Sequence, residues 1–217
     1  MAIKNIFFDF DGVILESVHV KTKAFRDLYL PYGDDIANKI VAHHTEHGGI
    51  SRYEKFKIYH KEFLGEEIDE NKVNELADQF SNLVFEGVVN SPYVPGIKSF
   101  IESQSKKYRF SIISGTPMVE LEKIVKEIRL DSHFHEIYGS PIKKPEWSRK
   151  ILSENNLNKE ETLFVGDAVT DWNAAKEVGL HFLFRETDEC MEFFTEFEGI
   201  RARDFENLED LLKEFNS

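Results

Sequence analysis

A single cysteine, Cys190, stands among the 217 residues, so no disulfide can close within the chain. Positive charge is also scarce: 27 lysines and arginines face 40 aspartates and glutamates, and the formal net charge of −13 argues against a surface for nucleic acid or anionic membrane. A phosphorylated ligand would therefore have to be held by local cations or by a metal. No stretch approaches the ~18 consecutive apolar residues of a membrane-spanning helix, and no internal repeat or low-complexity tract is present. The only early apolar run is broken by Asp9 and Asp11, which does not fit a secretory signal, and the expected location is cytoplasmic. Apolar residues themselves are not lacking. At 41% they can build one large domain, or a core with a smaller satellite.

The early run reads Ile6-Phe7-Phe8-Asp9-Phe10-Asp11-Gly12. As a strand, its period of two puts Asp9 and Asp11 on one side and Phe8 and Phe10 on the other, with Gly12 free to turn the backbone. Taken alone, it is either an acidic surface turn or a catalytic edge. From about Ser17 to Val89 no comparable strand follows. Val20, Ala24 and Leu28, then Phe56, Tyr59 and Phe63, then Val73, Leu76, Phe80 and Val84 recur at helical spacing, which predicts three or four helices. The turn residues Ser91 to Gly96 end that block. Beyond it, strands are expected over 108–113, 136–138, 162–165 and 180–184, and helices over 97–105, 119–128, 147–155, 172–178 and 208–215. Strands alternating with helices imply an α/β fold, with right-handed crossovers and a parallel sheet covered on both faces.

In such a sheet, ligands bind beyond the carboxyl ends of the strands. The first strand delivers Asp9 and Asp11 there. The second ends in Ser114-Gly115-Thr116-Pro117, a hydroxyl and backbone N–H groups suited to an anion, although Thr116 as N-cap with Pro117 at the first helical position explains much of that turn. The next connection carries Lys143-Lys144-Pro145, which alone reads as solvated surface. The fourth strand ends in Gly166-Asp167, with Asp171 four residues on, and capping explains at most one of the two acids. Carboxylates gathered without a cation repel, so this oxygen set implies a hard divalent metal, with Mg²⁺ best suited to a site that also receives phosphate. Zinc is disfavoured because no cysteine or histidine stands at these tips.

The order and spacing of the four motifs resemble the haloacid dehalogenase superfamily, in its capped branch of phosphoglycolate phosphatase-like and beta-phosphoglucomutase-like enzymes. Asp9-Phe10-Asp11-Gly12-Val13, Ser114 with Gly115, Lys144 before Pro145, and Gly166-Asp167 with Asp171 carry the likeness, which spans essentially the whole chain. It implies a Rossmann-like catalytic core over 1–16 and 90–217 and a small helical cap over 17–89. It further implies Asp9 as nucleophile and Asp11 as general acid and base. Mg²⁺ would be held by Asp9, Asp167 and the backbone carbonyl of Asp11. Ser114, Gly115 and Lys144 would hold the phosphoryl group, and Asp171 would orient Lys144 or a metal-bound water. The implied activity is Mg²⁺-dependent hydrolysis of a small phosphorylated metabolite such as a sugar phosphate or phosphoglycolate, with a sugar phosphomutase as alternative and a non-catalytic binding protein as a third reading. Against the mutase stand Gly166, where sugar phosphomutases typically show Glu, and Lys21, where they carry histidine, with His19 two residues earlier. The presence of Asp11 speaks against haloalkanoate dehalogenation.

Substrate choice is expected in the cap. Gly49-Ile50-Ser51-Arg52 resembles a cap loop of sugar-phosphate members, with Arg52 placed to grip a second part of the substrate. The same residues also read as a helix start, Ser51 and Glu54 forming a capping box. His43, His44 and His47 are expected to form a polar cap surface or a substrate-facing lip, not a metal site. Phe193, Phe194 and Phe197 are expected to be core packing or a contact surface. Oligomeric state has no signature in the sequence.

Overall fold

The computed structural model describes residues 2–215. Six parallel strands form one sheet in the order β3-β2-β1-β4-β5-β6. They are β1 (Asn5–Phe8), β2 (Arg109–Pro117), β3 (Glu136–Ser140), β4 (Thr162–Gly166), β5 (His181–Arg185) and the two-residue β6 (Arg201–Ala202). After β1 come α1 (Val18–Tyr29), α2 (Asp34–Glu46), α3 (Arg52–Ile58) and α4 (Glu70–Val89), which form the helical insertion. Then α5 (Ile97–Gln104) leads into β2, while α6 (Met118–Glu127), α7 (Lys144–Glu154) and α8 (Val169–Val178) form the later crossovers and α9 (Leu208–Glu214) closes the described chain. Among the described residues, no helix is long and apolar enough to cross a membrane.

The central position of β1 follows from its composition. Ile6, Phe7 and Phe8 are fully buried, which only a strand covered on both faces allows. Their alternation divides the core: Ile6, Phe8 and Phe10 pack with Phe110, Ile112 and Val165 on one face, whereas Phe7 packs with Ile113, Phe164 and Phe184 on the other. Phe194 and Phe197 belong to the second cluster, Phe194 stacking on Phe184 with ring centroids 3.7 Å apart, so this part of the aromatic group is core packing. The helical insertion has an aromatic centre of its own, in which Phe25 meets Phe80 (4.3 Å), Tyr59 (5.6 Å) and Phe56 (5.9 Å). That centre is continuous with the first sheet cluster.

Three boundaries differ from expectation in ways that bear on the site. β2 does not stop at Ile113: it continues through an irregularity in its pairing with β3 to Pro117, which is itself the N-cap of α6. Ser114, Gly115 and Thr116 therefore sit on extended backbone, and Thr116 is not a helix cap. α7 and α8 each begin three residues early, bringing Lys144 and Asp171 into first turns beside the strand ends. β6 had no sequence signal, being only two residues at the sheet edge.

Candidate active site

The chain runs β1, β2, β3 to one side of the sheet and then crosses back to lay β4 against the other side of β1. Beyond the carboxyl ends of β1 and β4, where strand order reverses, lies the crevice such sheets offer to ligands. Asp9 and Asp167 leave those two strands and are almost wholly buried. One Asp9 oxygen accepts the Phe10 N–H at 2.7 Å and the other accepts from Lys144 Nζ at 2.8 Å. Lys144 also donates to Asp171 Oδ1 at 2.5 Å, while Asp171 Oδ2 accepts the Ala168 N–H at 3.1 Å. Both Asp171 oxygens are thus engaged. Burial works against the charge of Lys144, but Asp171 and Asp9 outweigh it and hold its pKa above the ordinary lysine value.

Asp9, Asp167 and Asp171 each bring a carboxylate oxygen within 4.8 Å of the others. One lysine does not neutralise three buried carboxylates, and burial with repulsion from Asp9 and Asp171 pushes the Asp167 pKa well above the carboxylate range. An all-oxygen, electron-rich, buried donor set fits a hard divalent cation. Gly12 serves the same geometry: its φ is +77° and a Cβ there would overlap the Asp167 carboxylate, so the tight approach requires glycine. Cys190 lines the cavity as well, and burial pushes its thiol up to about 12, so without a metal it is protonated at neutral pH.

Asp11 faces other partners. Ser17 donates to Oδ1 at 2.6 Å, Thr116 donates to Oδ2 at 3.0 Å, and Lys21 of α1 pairs with the same Oδ2 while also donating to Thr116 Oγ1 at 2.6 Å. Burial alone would raise the Asp11 pKa; the Lys21 charge and these hydrogen bonds outweigh it and bring it below the ordinary value. The Ser114 hydroxyl, also buried, accepts the Thr116 N–H at 3.1 Å.

The insertion closes over these groups. Thr170 donates to the Gly48 carbonyl at 2.9 Å, and a Cβ on Gly115 would collide with the Gly49 carbonyl, so absence of a side chain lets the two backbones meet. Between insertion and sheet lies a cavity of about 80 Å³, whose walls include Asp9, Asp11, Ser114, His44, Arg52 and Lys55. Arg52 reaches it, but its guanidinium is committed: NH1 and NH2 donate to the two Glu120 oxygens at 2.8 and 2.6 Å, NH1 donates to Ser81 at 2.8 Å, and the group lies 4.5 Å over the Phe80 ring. Arg52 thus meets a carboxylate of α6 where a substrate contact was expected. Ser51 is the N-cap of α3, yet its side chain accepts no capping bond, so the expected capping box is not formed. The histidines divide: His43 and His47 stack at 4.1 Å, whereas His44 is buried and lines the cavity. Among the described residues, the acidic group around Asp9 is the metal-sized cluster, and no histidine belongs to it.

Ser17, Glu120 and Lys55 were not expected at the site; Thr116 was expected as a helix cap, and Lys21 only as the residue standing where sugar phosphomutases carry histidine. Ser17 and Lys21 carried a readable signal, since they lie four apart at the start of the first helix after the acidic strand. Glu120 carried none, because its partner is distant in sequence.

The model of the haloacid dehalogenase-like hydrolases matches residues 6–184. The chain belongs to this family. No curated protein matches the sequence. Among solved structures, beta-phosphoglucomutase from Clostridium difficile superposes with a TM-score of 0.78 at 20% identity, covering 99% of this chain and 97% of that one. A predicted phosphoglycolate phosphatase from Haemophilus somnus 129PT gives 0.72 at 20% identity, covering 96% and 97%. CbbY from Rhodobacter sphaeroides, solved with xylulose-(1,5)bisphosphate as a mutant, gives 0.73 at 18% identity, covering 95% and 96%. At these identities the likeness concerns the haloacid dehalogenase-like fold, and the catalytic reading rests on the residues themselves.

Proposed function

We propose that the protein is a Mg²⁺-dependent phosphatase that hydrolyses a small phosphorylated metabolite through an aspartyl-phosphate. The observation that carries this reading is Asp9, a buried carboxylate at the end of the central strand, held by Lys144 on one side and crowded by Asp167 on the other. Asp9 attacks phosphorus and the ester oxygen leaves, so one difficult displacement becomes two easier ones. Ser114, the Gly115 backbone and Lys144 hold the non-bridging oxygens and offset the charge that builds on them. Asp9, Asp167 and the Asp11 carbonyl would hold Mg²⁺, which when bound neutralises phosphate charge and orients the group for in-line attack. Asp171 keeps Lys144 pointed inward.

Asp11 moves the proton. In the arrangement described it is ionised by Lys21, the state needed to take a proton from the water that cleaves the aspartyl-phosphate. In the first half-reaction it must donate to the leaving oxygen, and a phosphate dianion arriving beside it raises its proton affinity in the required direction.

A phosphomutase is the second reading. Against it, a Cβ at Gly166 would overlap the Asp171 side chain, so the glutamate typical of sugar phosphomutases has no room in this packing. The test is phosphate release from a panel of phosphate esters, with and without Mg²⁺ and with Asp9→Asn as control. Expected are Mg²⁺-dependent release without any bisphosphate activator and loss of at least ~10³-fold in kcat for Asp9→Asn. Strict dependence on a bisphosphate would favour the mutase, and no release from any ester would favour a non-catalytic role.

A further inference from the structure

We propose that Lys55 and His44 form a second anion-binding subsite in the wall of the active-site cavity, and that the substrate is a phosphoric monoester bearing a second acid group on a short skeleton. This rests on the phosphatase reading above and deepens it.

Three cations near the cavity already have acids. Lys21 has Asp11, Arg52 has Glu120, and Lys144 has Asp9 with Asp171. Lys55 is different. Its side chain is buried and lines the cavity, yet among the described residues no carboxylate comes within ion-pairing distance of Nζ. Its contacts are His44 Nδ1 at 2.7 Å, the His44 carbonyl at 3.4 Å and the face of Phe25 at 5.6 Å. None of these carries negative charge.

The pair is internally consistent as an anion receptor. An ammonium that donates to His44 Nδ1 requires a neutral imidazole with its proton on Nε2, and burial together with the Lys55 charge keeps His44 neutral. With His44 Nδ1 accepting from Lys55, the N–H donors of the pair lie in a cavity whose walls, besides the acids described above, include Phe25, Phe80, Ile50 and Glu189, and no ion pair joins Glu189 to Lys55 among the described residues. Packing alone would be served better by an apolar residue, because a buried ammonium without a counter-charge is costly. A carboxylate or phosphate on the substrate supplies that charge, whereas a hydroxyl does not. The cavity of about 80 Å³ limits the skeleton to a few atoms between the two anions.

The experiment compares three esters on one two-carbon skeleton: phosphoglycolate, ethylene glycol bisphosphate and, as the neutral-tailed reference, ethylene glycol monophosphate. With Mg²⁺, kcat/KM for phosphoglycolate or the bisphosphate should exceed that for the monophosphate by at least ~10-fold, and which of the two does so identifies the second group as carboxylate or phosphate. In Lys55→Met that ratio should fall to near one, chiefly through KM, while Lys55→Arg should retain part of it. Equal kcat/KM for all three esters in the wild type, which needs no variant to observe, would overturn the subsite; so would a ratio that survives Lys55→Met. Absence of phosphate release from all three would instead overturn the phosphatase reading on which the subsite depends.

Discussion

Among the described cations that line the cavity, Lys21 and Arg52 have acidic partners and Lys55 has none. Its amine is buried against His44 and Phe25, and burial, reinforced by the Lys21 charge, lowers its pKa from 10.5 to about 7. Between those values the unfolded chain binds a proton that the folded chain has released, so this group makes folding more favourable as pH rises from about 7 to about 10.5. Below pH 7 its full cost is present. Lys55→Met should therefore stabilise the protein at pH 7 by about 1–4 kcal/mol, with the gain shrinking towards pH 10. Urea unfolding of both proteins at the two pH values measures this. A variant less stable than wild type at pH 7 would mean that the ammonium is compensated in the folded chain. The same expectation protects the substrate test, since a variant stabilised at neutral pH does not lose selectivity by unfolding.

At the scale of elements, polar contacts cross the seam between the insertion and the sheet beside a shared apolar core. Arg52 of α3 meets Glu120 of α6, with Ser81 of α4 bonded to the same carboxylate, and Gly48 and Gly49 approach α8 and β2 through backbone. Glu120→Ala should cost about 3–5 kcal/mol, because it strands a buried guanidinium, whereas adding Arg52→Met to it should recover most of the loss. Denaturant midpoints of the single and double variants decide this, and a cost below ~1 kcal/mol for Glu120→Ala would show that Arg52 finds water when its partner is gone. The elements themselves were largely legible. Apolar runs at period two and period 3.6 located β1, β4, β5 and the helices of the insertion, because burial on both faces of a sheet, or on one face of a helix, writes directly into composition. The end of β2 was not legible. Ser114-Gly115-Thr116-Pro117 has the composition of a helix start, whereas in the structure it stays extended and Pro117 pairs with Ser140.

In the whole molecule, the acids that distant segments bring together were legible because the α/β topology sends strand ends to one crevice: Asp9, Asp167 and Asp171 meet as that rule requires. Lys144 joins them through the early start of α7. The pairing of Arg52 with Glu120, which crosses from the insertion to α6, was not legible, since nothing in a local pattern encodes the angle at which two layers meet. The net charge of −13 sets the background against which these few cations act on an anionic substrate. The central claim is that Asp9 becomes covalently phosphorylated. It is tested most directly by mixing the Mg²⁺-loaded protein with a hydrolysed ester, quenching in acid within the first turnover, and mapping the peptide that carries Asp9 by mass. The expected result is the mass of one phosphoryl group on Asp9, lost on longer incubation and absent from Asp9→Asn; continued turnover with Asp9 unmodified at every time would contradict it.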